Sequence, residues 1–299
     1  MKNRIIINLK FINLRLNQKY EFGGRQTMKA GLVFFFVLIT GHGVLAQNLI
    51  KARSGEVKYN ITKQGLDSSR SVSSSENRVA LVIGNKNYKI APLQNSVNDA
   101  NDLANLLARK NFEVIKVLDG TRSEIREAIK QFSSKIASGA IGLFYYSGHG
   151  VQVGGENYLV PIDARIEYQE EVPDECIGVS TILRYMEASN NKLNIMILDA
   201  CRNSPFKSFS RSGEKGMLRV EAPVGSIVAY STAPGMTDSD GTGRNGLYTS
   251  KLMKYLDVPG LKVEEVFKQV RIEVSKESNN TQVPWESNSL MGDFYFNLN

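Results

Sequence analysis

Two short segments hold the residue types best suited to covalent chemistry. Ser147-Gly-His-Gly150 sets an imidazole between two glycines, and Asp199-Ala-Cys-Arg-Asn203 sets a thiol two places after a carboxylate. His149 and Cys201 are 52 residues apart, and the only other histidine, His42, lies near the amino terminus. A thiol attacks carbonyl carbon well only as thiolate. A neighbouring imidazole lowers its pKa and can later protonate an amine leaving group. One histidine and one cysteine held together would therefore support acyl transfer through a thioester. Gly148 and Gly150 are expected to turn the backbone sharply after a strand and to keep bulk away from the ring. The N–H groups of Gly150 and Cys201 could then receive the oxyanion.

Other chemistries fit poorly. Beyond residue 46, one histidine and two cysteines cannot build a usual zinc site, and no phosphate-cradling glycine loop is present. No cofactor is expected. Calcium activation stays open, because the acidic stretches Glu167 to Glu175 and Asp238 to Asp240 match no EF-hand loop. Cys176, in Pro173-Asp-Glu-Cys-Ile177, has no adjoining glycines and reads as structural. A Cys176–Cys201 disulfide is the competing role for both thiols, and it would abolish the chemistry.

The elements that must position these groups alternate in type. Apolar runs at Val79–Ile83, Phe112–Leu118, Ala140–Tyr146, Leu193–Leu198 and Ser226–Tyr230 read as strands, several of them apolar on both faces. Helical spacing appears at 96–110, after the capping box Thr121-Arg-Ser-Glu124, around Leu183 and Met186, and at 246–256 and 262–276. This alternation predicts an α/β fold, a three-layer sandwich with a mostly parallel sheet and helices on both faces. Both reactive segments follow strands directly, at the carboxyl edge where ligands collect in such sheets.

The formal charge of +7 invites a nucleic-acid reading, but its distribution opposes one. Residues 1–46 hold seven Lys/Arg and one acid, so the remainder carries 30 basic and 29 acidic residues. Lys29, the apolar run Gly31–Ile39 and Val44-Leu-Ala46 read as a cleavable export signal, too short to span a bilayer comfortably. Residues 1–27 read as an extension upstream of Met28. The expected organisation is a leader at 1–46, a serine-rich linker at 47–77 and one domain at 78–299, exported to the periplasm or beyond. The alternative is an uncleaved amino-terminal anchor.

Tyr145-Tyr-Ser-Gly-His-Gly150 followed by Asp199-Ala-Cys-Arg-Asn203 resembles the caspase–metacaspase peptidase family. Further segments agree in order: Ala80–Gly84, Asn95–Asp99, Gly155–Asp163 and Tyr230–Gly235. The resemblance covers about 78–297. It implies a caspase-like fold, polypeptide substrates, and His149, Cys201 and Gly150 as the catalytic set. It also implies that Asp199 and Asp99, with Ser231, line the primary specificity pocket. Two carboxylates there would favour arginine or lysine before the cleaved bond and reject aspartate. Asp99 could otherwise be an ordinary carboxylate near a helix amino terminus. The basic loop after Cys201 offers Arg211, Lys215 and Arg219 as points of self-cleavage. The expected function is a cysteine endopeptidase; the alternatives are a silent caspase-like scaffold, or a transpeptidase or amidase using the same pair. Oligomeric state is not legible.

Overall fold

Apolar runs bounded by glycine, asparagine or aspartate become strands here, and stretches of 3.6-residue period become helices. The computed structural model describes residues 37–40, 43–46, 76–136, 139–189, 191–201, 217–233 and 243–298. For the first two segments and for Cys201 it describes the backbone. The chain divides into two units, Met1–Leu66 and Asp67–Asn299. In the first, β1 (Val37–Thr40) and β2 (Gly43–Ala46) pair antiparallel, with Val37 opposite Ala46. The rest of the expected leader, and the expected linker up to residue 75, lie outside the described residues.

The second unit runs through β3 (Arg78–Gly84), α1 (Ser96–Arg109), β4 (Phe112–Leu118), α2 (Arg122–Lys135), β5 (Ile141–Val153) and β6 (Glu156–Leu159). A short 3-10 turn leads into α3 (Val172–Glu175), β7 (Ile177–Gly178), α4 (Val179–Ala188) and β8 (Leu193–Cys201). Then come β9 (Ser226–Tyr230), α5 (Leu247–Leu256), α6 (Val263–Glu277) and β10 (Trp285–Asn288). The main strands lie in the order β4-β3-β5-β8-β9-β10. The first five are parallel, and β10 closes the edge antiparallel to β9.

Period-two alternation feeds both faces of this sheet. Ala80, Val82, Leu143, Tyr145, Ile195 and Ile197 pack against α1, α5 and α6. Their strand neighbours Leu81, Ile83, Phe144, Tyr146, Met196 and Leu198 pack against α2 and α4. The result is the expected three-layer α/β sandwich. The predicted capping box at α2 is present: Glu124 N–H donates to Thr121 Oγ1, and Thr121 N–H donates to the Glu124 carboxylate. Such a cap contributes about 1 kcal/mol.

One feature of the sheet departs from expectation. β5 does not turn at Ser147-Gly-His-Gly150 but continues to Val153. The turn falls at Gly154 and Gly155, both with positive φ (59° and 80°), which form a two-residue hairpin connection to β6.

Candidate active site

The register of β5 and β8 decides what comes together. The two parallel strands pair from Ile141–Leu193 through to His149–Cys201. Adjacent strands lie about 4.8 Å apart, so His149 and Cys201 are backbone neighbours at the carboxyl edge. On the other side of β5, β3 stops two residues short of His149, at Gly84 opposite Ser147.

Because the backbone is extended through this segment, its glycines do not serve as turning points. A Cβ on Gly148 would lie 2.5 Å from the Tyr146 hydroxyl and 2.6 Å from that of Tyr88. A Cβ on Gly150 would meet the Ala200 Cβ at 3.1 Å and Met217 Sδ at 3.3 Å. Close approach, rather than backbone freedom, explains both.

The backbone groups of β5 alternate between its two edges. Asn85 N–H donates to Ser147 O (2.9 Å), and Val160 N–H donates to His149 O (3.0 Å). Residues 147 and 149 therefore use the edge shared with β3 and β6, and Gly150 N–H faces the β8 edge.

His149 is buried, 3% exposed. Its Nε2 lies 2.7 Å from the carbonyl oxygen of Ala91. A carbonyl only accepts, so Nε2 carries the proton and Nδ1 is the nitrogen left to exchange one. Ala91 itself has φ of 51°, a left-handed conformation uncommon for a residue with a side chain. The Tyr88 ring packs 4.5 Å from the imidazole, tilted by 50°.

The two aspartates converge on the amino end of α5. Asp99 is buried, and its Oδ1 accepts the N–H of Gly246, the residue capping α5, at 2.9 Å. Asp199 is also buried; its Oδ2 accepts from Thr249 Oγ1 at 2.6 Å. Tyr145 Oη lies 2.6 Å from Thr249 Oγ1, so a relay from Tyr145 through Thr249 to Asp199 places every proton. Burial, and then the nearby charge of Asp199, push the Asp99 carboxyl up to about 7, against the lowering bonds from Gly246 and Asn245. A solvated carboxylate on the helix surface is thus not what Asp99 is. Outside this pair, Arg244 donates to Asp102 at 2.8 and 3.0 Å and ties residues 244–246 to α1. That contact holds the Asp102 carboxyl below its usual range.

Ser231 lies just beyond β9, buried, with its N–H donating to Leu198 O (3.0 Å), one residue before Asp199. Arg211 and Lys215 lie outside the described residues. Arg219 is exposed, with its guanidinium 4.3 Å from the Trp285 ring centroid and 3.3 Å from Glu221. Cys176 is a free thiol in a small apolar cluster with Tyr88, Val151, Val160 and Val172. Burial, more than its neighbour Glu175, pushes it up to about 12. Because Cys176 is free, the competing disulfide is not formed. Among the described residues, no three His, Cys, Asp or Glu side chains converge as metal ligands.

Sequence reasoning did not single out Tyr88, Ala91, Gly246 or Thr249. Tyr145 was legible as part of a motif, and its position four residues before His149 puts both on one face of β5. Thr249 is 50 residues from Asp199, and Gly246 is 147 from Asp99. No local pattern joins them.

Residues 77–295 match the caspase domain family. Human mucosa-associated lymphoid tissue lymphoma translocation protein 1 is 39% identical over 129 residues, 43% of this chain. Its mouse homologue is 37% identical over 129 residues, again 43% of this chain. The match spans 15% of the length of either relative.

Proposed function

The chain belongs to the caspase-domain peptidases, and we propose that it is a cysteine endopeptidase that cleaves after arginine or lysine. The register pairing of His149 with Cys201 is the observation that carries this reading. His149, whose Nε2–H donates to the Ala91 carbonyl, accepts the thiol proton at Nδ1. The Cys201 thiolate adds to the scissile carbonyl carbon. Gly150 N–H, facing the β8 edge, donates to the developing oxyanion, together with Cys201 N–H. The imidazolium then gives its proton to the departing amine, the C–N bond breaks, and a thioester remains. Water, deprotonated by His149, cleaves the thioester to a carboxylic acid and restores the thiol.

Basic specificity is supported by the buried aspartate pair. Capping α5 needs one carboxylate, and the helix amino end favours it. A second buried acid beside the first costs free energy through like-charge repulsion, which a guanidinium or ammonium guest would relieve. Ser231, at the same edge, completes the pocket wall. Self-cleavage in the basic stretch holding Arg211, Lys215 and Arg219 would follow from the same preference. For Arg219 it requires release from Trp285 and Glu221.

An arginyl peptide carrying a thiol-reactive group is expected to label the wild-type chain once, at Cys201, and to leave Cys201→Ala unlabelled. A silent scaffold would not be labelled at all. Product mass with an added amine separates the remaining possibilities: hydrolysis gives the free acid, and transpeptidation gives the amide. We further place the enzyme outside the cytoplasm, on the strength of Lys29, the apolar run after it and Val44-Leu-Ala46. Retention by an uncleaved leader is the alternative. Among the described residues, no helix is long and apolar enough to cross a membrane.

A further inference from the structure

The loop between β3 and α1 grips His149 at three points. We infer that Tyr88 is a positioning residue for the His149 imidazole, and that Asp119 fixes the loop that presents it. The inference rests on the dyad reading above.

The need for such a residue arises from the sheet. β3 ends opposite Ser147, so the next backbone donor of β5 on that edge, the His149 N–H, lies beyond the end of β3. The Tyr88 hydroxyl, beyond the end of β3, accepts that N–H at 3.0 Å. Proton bookkeeping around it closes. Tyr146 O–H donates to His149 O at 2.8 Å, and Tyr88 O–H donates to Val160 O at 3.0 Å. Two hydroxyl protons thus serve two carbonyls, and the Tyr88 oxygen stays available to His149. The Tyr88 ring then lies against the imidazole, and three residues later the Ala91 carbonyl receives Nε2–H. Backbone, ring face and one ring nitrogen of His149 all answer to residues 88–91.

Asp119 holds that loop from beneath. Its Oδ1 accepts the N–H groups of Lys86 and Asn87, each at 2.8 Å, and its Oδ2 accepts Asn87 Nδ2 at 2.7 Å. It does so from a left-handed backbone, φ 49°, which aspartate and asparagine tolerate better than most residues. Asn85 braces the same loop, accepting Gly120 N–H at 2.9 Å and donating to Val160 O at 3.2 Å. Leu93 N–H closes it onto Lys86 O at 3.0 Å. Asp119 and Asn85 act through the angle at which residues 88–91 hold His149.

Tyr88→Phe keeps the ring but leaves the His149 N–H without its acceptor. It is expected to lower kcat on an arginyl peptide about 10- to 30-fold with KM changed less than about twofold. A purely structural role would not move the second readout, the pH dependence of Cys201 alkylation by iodoacetamide, followed by mass on the full chain. In wild type the reaction should persist well below the ordinary thiol pKa of about 8.5; in Tyr88→Phe the profile should move up toward it. Gly148→Ala, which drives a methyl into both hydroxyls, should give the same signature more strongly. If Tyr88→Phe does not fold, Asp119→Ala should show the lowered kcat and raised profile, with Asp119→Asn, which keeps the Oδ1 acceptor, restoring most of both. Wild-type kcat and an unshifted profile in Tyr88→Phe would overturn the inference, as would equal loss in Asp119→Ala and Asp119→Asn. A wild-type profile already that of an ordinary thiol, or unchanged in His149→Ala, would instead sink the dyad reading beneath it.

Discussion

His149→Ala is expected to lower kcat by about 10³- to 10⁴-fold while leaving KM within a few-fold. Two losses combine in this variant. The thiol at 201 returns toward its ordinary pKa, so only a few per cent is thiolate at neutral pH. No group remains to protonate the departing amine, and an amide nitrogen is a poor leaving group without that proton. The substrate contacts proposed for the aspartate pair would be untouched, which is why KM should hold. The imidazole gives up a buried bond to Ala91, so melting temperature is a necessary companion measurement. Steady-state kinetics showing less than a tenfold fall would mean that His149 is not the proton carrier.

Asp99→Asn should produce the second-largest effect and a paired gain in stability. Removing one carboxylate from the proposed cation pocket should cut kcat/KM for an arginyl peptide about 100-fold or more. Asparagine still accepts Gly246 N–H, so the pocket wall stays in place. Stability should move the other way. The folded pKa of Asp99, about 7, lies above its unfolded value near 3.8, so the folded state binds the proton more tightly. Wild-type stability therefore falls as pH rises from about 4 through 7 and is level above that. Below pH 4 the aspartate is neutral in both states and resembles asparagine. The variant should accordingly match wild type in acid and exceed it by on the order of 4 kcal/mol above pH 7, read by denaturant melts at several pH values. The same titration predicts that the wild-type KM for an arginyl peptide rises as pH falls through about 7. A variant less stable than wild type at pH 8, or a KM flat from pH 6 to 8, would argue against two ionised acids facing the substrate.

Much of this arrangement can be read in the amino acids because its determinants are local. Phe112–Leu118 and Ser226–Tyr230 are strands with the bounds expected, since each is an apolar run ended by turn residues. The capping box before α2 is a three-residue interaction and was equally legible. Ser147-Gly-His-Gly150 misled because glycine commonly marks a turn, whereas here Gly148 makes room for the hydroxyls of Tyr146, from the same strand, and Tyr88, and Gly150 for Ala200 and Met217. β10, Trp285-Glu-Ser-Asn288, has no apolar alternation to announce it; as the antiparallel edge strand it leaves much of its surface half-exposed. The adjacency of His149 and Cys201 followed from parallel strand logic. The company they keep did not: Tyr88, Ala91, Thr249 and Gly246 reach the site through tertiary contacts across 50 residues or more.

A panel of fluorogenic peptides differing only in the residue before the cleaved bond tests the central claim most directly. Arginine, lysine and aspartate would be compared with wild type and with Cys201→Ala, with and without Ca²⁺. Turnover of the arginyl and lysyl peptides by wild type alone, with the aspartyl peptide left intact, is the result predicted. Cleavage after aspartate, or turnover that survives loss of the thiol, would contradict it.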